Sequence, residues 1–290
     1  MFQPPSYHEA YEQSHKLFGS TPLGPVAHAL LEHVCTLFYG GHARYQACDT
    51  AFHDFEHTMQ ATAAVLRLLQ AHQQHPRIAA LQERDRLLAF ASVLFHDTGY
   101  LKTRDDHEGS GAKYTSIHVG RSCFVAHDHL PEFGFSPGEL RLVQNAISAT
   151  AVAVRMEALP FRDGREWLVA AMVGTGDMLG QLAAHDYPER LAGLYLEFRE
   201  ASAFSRLHGA GFATHGTLLE LLEGTEAFYT SYVLRMLDVE WKGLHRLLVT
   251  GKGPNLYVQQ MLANVVRVKT MARLLSGDER RRTEWQGVTG

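Results

Sequence analysis

Residues 87–95, Leu-Leu-Ala-Phe-Ala-Ser-Val-Leu-Phe, are almost wholly apolar and stop abruptly on His96-Asp97. A helix apolar on every side belongs at the centre of the fold. An imidazole and a carboxylate at the end of a buried helix need a compensating partner. A divalent cation is the natural one, because hard and borderline metals take imidazole nitrogen and carboxylate oxygen together. A second signal precedes it in Phe52-His53-Asp54-Phe55-Glu56-His57-Thr58. On a helix, His53 and His57 would sit one turn apart on one face.

The rest of the chain reads at helical spacing. Helices are expected over 26–39, 54–74, 84–96, 112–129, 137–149, 167–182, 188–204, 218–248 with a break near Asp238, and 256–275. Asp49 and Thr50 are the candidate N-caps for the second of these. Ala61, Ala64, Val65, Leu68 and Leu69 form its buried stripe below His57. Residues 1–22 read as an irregular or loosely helical lead-in. Residues 99–111 form a loop rich in charge and glycine, and turns are expected at 208–216 and 251–255. No period-two strand pattern stands out, so the class is all-α. One domain is expected over 46–275, with 1–45 as an N-terminal helical lead-in packed on it and 276–290 as a charged tail.

The balance of 27 basic against 31 acidic residues gives a net charge of −4, without the basic excess that nucleic-acid polymers require. Cys35, Cys48 and Cys123 fit no zinc-thiolate spacing, and their odd count argues against a disulfide framework. A reducing, cytoplasmic setting follows. No apolar leader or membrane-length run appears. The last helix is apolar enough to pack against a second subunit, which makes a homodimer an expectation. There are 18 histidines, which favours a metal site.

A third metal-binding element should be an acid inside an apolar helix. Asp177 fits, in Ala170-Ala171-Met172-Val173-Gly174-Thr175-Gly176-Asp177-Met178-Leu179-Gly180. Asp186 and Asp238 compete with it from more polar surroundings.

The order His57, His96-Asp97, Asp177 resembles the HD-domain metal-dependent phosphohydrolases. The stretch His53-Asp54-Phe55-Glu56-His57-Thr58 is similar to the signature of the cyclic nucleotide phosphodiesterases within that superfamily. The resemblance spans roughly residues 50–200 and implies an HD-type helical bundle. It also implies His57, His96, Asp97 and Asp177 as metal ligands, Asp97 as a bridge to a second metal, and His53 as general acid. The cofactors implied are one or two divalent ions: Mn, Fe, Mg, Zn or Ni. The reaction implied is attack of a metal-bridged hydroxide on a small nucleotide-like phosphoester, with His53 protonating the leaving oxygen.

The sequence departs from the family pattern in three places. Asp54 stands where the phosphodiesterases have asparagine, Leu101 replaces a histidine, and the stretch Ile147-Ser148-Ala149-Thr150 lacks another. His107 or Glu108, in His107-Glu108-Gly109-Ser110-Gly111-Ala112, would serve the second metal or its surroundings; a solvated loop histidine and a helix-start acid are the alternatives. Gln181, one turn past Asp177, would face substrate or simply lie on the helix surface. His118 reads as a core or surface histidine inside its helix. A nucleotide phosphomonoesterase or guanosine tetraphosphate hydrolase is the alternative activity. A di-iron oxygenase or a non-catalytic nucleotide-binding module is the alternative of another class.

Overall fold

Asp54, not Asp49 or Thr50, starts the helix that carries His57. In the computed structural model Asp54 is extended (φ −106°, ψ −173°), and its carboxylate accepts the His57 backbone N–H at 2.9 Å. That is the geometry of an N-cap, which aspartate and asparagine fill about equally well. Thr50 instead donates its hydroxyl to the His53 carbonyl at 2.6 Å, and Asp49 ion-pairs with Lys102 at 2.9 Å. His53 therefore precedes the helix and His57 lies in its first turn. The two are not stacked on one helical face as the spacing suggests.

The structure describes residues 5–75, 80–152, 154–208, 215–249 and 253–288, without the side chains of residues 5 and 278–288. Most of the turns expected at 208–216 and 251–255 lies outside these residues. The α-helices are α1 Pro5–Phe18, α2 Gly24–Phe38, α3 Phe55–Gln73, α4 Glu83–Phe95, α5 His118–His129, α6 Pro137–Ser148, α7 Gly164–Leu182, α8 Tyr187–Leu207, α9 Leu218–Ala227 and α10 Leu256–Val288. Among the described residues there is no strand, only a single antiparallel bridge between Tyr45 and Thr103. The fold is all-α.

The apolar run becomes α4, and every residue from Leu87 to Phe95 is buried. Helices α2, α3, α5, α6 and α7 all pack against it. Helices α3 and α7 pack along each other, and two glycines make their close approach possible. A Cβ on Gly180 would fall 2.5 Å from the Ala61 Cα, and one on Gly176 would collide with Val65. Asp177 follows Gly176 directly, so the close packing brings its carboxylate to the start of α3.

Four expected boundaries shift. Residues 1–22 contain a regular helix, with Tyr7, Ala10, Ser14, Leu17 and Phe18 as its buried stripe against α2 and α3. The expected helix over 112–129 is broken. A 3₁₀ turn, Gly111–Tyr114, precedes α5, and His118 is the first residue of α5 rather than an interior one. Segment 218–248 becomes α9, π-helical stretches Phe228–Val233 and Met236–Glu240, and a 3₁₀ turn Leu244–Leu248. Its break falls at Lys242 and Gly243, both left-handed (φ 49° and 72°), past Asp238. The backbone of α10 stays helical to Val288, past the expected end at 275 and through most of the charged tail. No helix among the described residues is long and apolar enough to cross a membrane.

Candidate metal centre

His96 caps α4, and its Nδ1 lies 2.7 Å from the Val93 carbonyl oxygen. A carbonyl only accepts, so Nδ1 donates and Nε2 of the neutral ring carries a lone pair. That lone pair faces Asp97 Oδ2 at 3.2 Å, Asp177 Oδ1 at 3.4 Å and His57 Nε2 at 3.4 Å. His57 Nε2 in turn lies 3.2 Å from Asp97 Oδ2 and 3.4 Å from Asp177 Oδ1. Donor atoms of His57, His96 and Asp97 all fall within 4.8 Å of one another, and Asp177 joins them through both imidazoles.

These are the spacings of ligands around one ion. Groups about 2.0–2.2 Å from a shared metal stand about 3–3.4 Å from each other. Asp97 Oδ2 is buried and has no hydrogen-bond partner. A buried carboxylate oxygen facing imidazole nitrogens without a hydrogen bond requires a cation or protons. His57, His96 and Asp97 could therefore hold a divalent metal, with Asp177 Oδ1 close to both imidazoles, and this mixture of nitrogen and oxygen donors suits Mn, Fe, Zn or Ni.

Protons fill that role in the metal-free protein. Burial disfavours a charged His57, but the Asp177 and Asp97 carboxylates outweigh it and push its pKa up to about 9. His96 is raised in the same way by Asp97 and Asp177. Burial opposes ionisation of the two aspartates too, yet the imidazoles hold both well below the usual carboxylate range. Metal binding would displace these protons.

His53 stands beside this nest and outside it. Its ring meets the His57 ring edge-on, with centroids 5.7 Å apart and planes at 90°. Glu197 of α8 holds it: Oε2 lies 2.5 Å from His53 Nδ1, and Oε1 accepts the backbone N–H of Phe52 at 2.5 Å and of His53 at 3.2 Å. Arg190, also on α8, donates to the Phe52 carbonyl and to Asp54 Oδ1, the latter at 2.8 Å. One helix thus clamps the extended segment before α3 from both sides.

His118 reaches the other oxygen of Asp97. Its Nε2 lies 3.8 Å from Oδ1, and its Nδ1 lies 2.6 Å from the Thr115 carbonyl. Again Nδ1 donates, and a lone pair faces a carboxylate oxygen. Burial holds this imidazole below its ordinary pKa, which favours the neutral, ligand-competent form. Gly99 brings it there. A Cβ on Gly99 would collide with the His118 carbonyl, and the Gly99 N–H donates to Ser122 Oγ at 2.8 Å.

His107 and Glu108 are exposed on the 102–110 loop, outside the cluster of converging donors. That loop is fixed by other groups: Lys113 Nζ reaches Asp106 and the Glu108 carbonyl, each at 2.5 Å, and Glu200 accepts from Ser110. Gln181 is partly exposed and makes no side-chain hydrogen bond among the described residues. Asp186 and Asp238 serve Arg190 and Arg246 respectively. Thr150 bonds its own helix end, at the Ile147 carbonyl.

No protein-family model matches the chain, and no curated protein matches it.

Proposed function

We propose that the protein is a metal-dependent phosphohydrolase of HD type, acting as a phosphodiesterase on a small nucleotide-like phosphoester. The observation that carries this reading is the division of labour within one short segment. His57 joins His96, Asp97 and Asp177 in a nest of converging lone pairs. His53 stays outside that nest, gripped at Nδ1 by Glu197.

His57, His96, Asp97 and Asp177 would hold the first divalent ion, and Asp97 Oδ1 with His118 would serve a second. When bound, such ions lower the pKa of water and offset charge that develops on phosphoryl oxygens. His53 supplies the complementary function. With Nδ1 committed to Glu197, its Nε2 is the nitrogen that gives a proton to the departing oxygen, a role that contributes roughly 10²–10⁴-fold. Phosphomonoesters and guanosine tetraphosphate remain alternative substrates of the same centre.

The lone pair of His118 on the second oxygen of Asp97 gives specific support to a second reading, a di-iron oxygenase on this scaffold. Hydrolysis of bis-p-nitrophenyl phosphate with added manganese, and its loss in EDTA, tests the first reading. Two tightly bound irons with no hydrolysis would favour the second.

A further inference from the structure

The rings of His53, Tyr100 and His118 lie together against the metal nest. The Tyr100 centroid is 4.6 Å from that of His53, with planes at 12°, and 4.6 Å from that of His118, with planes at 20°. The two imidazole centroids are 6.1 Å apart. Rings stacked on opposite faces of a phenol would stand at least about 7 Å apart, two ring thicknesses. Both imidazoles therefore lie side by side on one face of Tyr100.

We infer that Tyr100 is a positioning residue whose ring is the shared floor for His53 and His118. Each imidazole has one anchor at Nδ1, Glu197 for His53 and the Thr115 carbonyl for His118. A single anchor leaves a ring free to pivot about it, and the floor removes that freedom. The floor itself is fixed to the ligand set. Tyr100 is 1% exposed, closes the 3₁₀ turn that follows Asp97, and donates its N–H to the Asp97 carbonyl at 3.1 Å. Close approach of Gly111, where a Cβ would collide with the Tyr100 carbonyl, holds the turn from the other side. Asp97 and the two imidazoles are thereby built on one rigid corner. This inference rests on the reading of His53 as the proton donor.

The test compares Tyr100→Leu with Tyr100→Phe on two diesters, bis-p-nitrophenyl phosphate and diphenyl phosphate. p-Nitrophenolate leaves readily without a proton, whereas phenolate needs one, so a misplaced acid is felt mainly on the second. Assayed at saturating manganese, Tyr100→Leu should keep its tightly bound metal equivalent and its KM, and lose roughly 10–100-fold in kcat on diphenyl phosphate against less than about 3-fold on the nitrophenyl diester. Tyr100→Phe, which keeps the ring, should stay within about 3-fold of wild type on both. In parallel, the His53 and His118 ring-proton NMR signals should move downfield in Tyr100→Leu, as the ring current is lost, and stay in place in Tyr100→Phe. Equal loss on both diesters with metal retained, or histidine signals that do not move, would overturn the inference. A wild-type enzyme inactive on both would overturn the hydrolase reading and this inference with it. Should Tyr100→Leu fail to fold, Tyr100→Met carries the same comparison.

Discussion

Glu197 grips His53 at the side chain and at the backbone, across 144 residues of chain, with Oε2 at 2.5 Å from Nδ1 and Oε1 on the N–H of His53 and Phe52. A buried carboxylate in that position fixes Nδ1–H and the orientation of the ring, much as the buried aspartate does in a catalytic triad. Glu197→Gln keeps the shape but offers an amide. Turnover should fall by about 10²-fold or more with metal content unchanged. Steady-state kinetics beside elemental analysis measures both, and a fully active variant would reject the pairing.

Gly180 sets how closely α7 approaches α3. A methyl group there would sit 2.5 Å from the Ala61 Cα, a distance that only a shift of one helix relieves. Overpacking of this kind costs about 1–3 kcal/mol. Gly180→Ala should lower the urea midpoint by that amount. It should also weaken metal binding, because the shift withdraws Asp177 from His57. Unchanged metal affinity in a destabilised variant would show that Asp177 reaches the nest by some other means.

The metal-free centre makes stability depend on pH. His57 is raised from 6.5 to about 9, so its contribution is complete below about pH 6.5 and is lost as pH rises through about 9. Asp97 and Asp177 are depressed, so theirs is present above about pH 4 and is lost as pH falls through their folded values. Denaturation in EDTA should therefore show lower stability near pH 9 than near pH 6. Bound metal takes over from the protons, and with manganese the alkaline loss should shrink. Metal affinity itself should fall with falling pH, since the imidazoles must give up protons to bind. A metal-free protein equally stable at both pH values would contradict this account of the nest.

The sequence made some of this architecture legible, for physical reasons. An apolar run that closes on His96-Asp97, and a lone acid in the apolar surroundings of Asp177, are signals any single chain displays, because burial excludes charge that has no role. Asp54 was harder to see. Asp49 and Thr50 are equally good caps, and only the extended backbone of the segment before α3 decides among them. His118 could not be placed from spacing, since its position depends on the close approach of α5 to Gly99. Glu197 meets His53 only through the packing of α8, a tertiary contact with no local signature. His107 and Glu108 looked suitable by motif, but Lys113 and Glu200 hold their loop at the surface.

His118 should matter to a second ion more than to the first. Its Nε2 faces Asp97 Oδ1, whereas His57 and His96 face Oδ2. His118→Ala should retain one tightly bound equivalent, lose the weaker one, and need more manganese for half-maximal turnover. Loss of all metal would place His118 in the first site instead.

The proposed chemistry requires that His57, His96, Asp97 and Asp177 hold a divalent ion. The most direct measurement is the metal content of purified protein by elemental analysis, wild type beside Asp97→Asn, after dialysis against manganese and then metal-free buffer. The account predicts at least one retained equivalent in the wild type and none in Asp97→Asn, with circular dichroism showing both folded. A folded wild type that retains no metal, or an Asp97→Asn protein that retains as much as wild type, would contradict it.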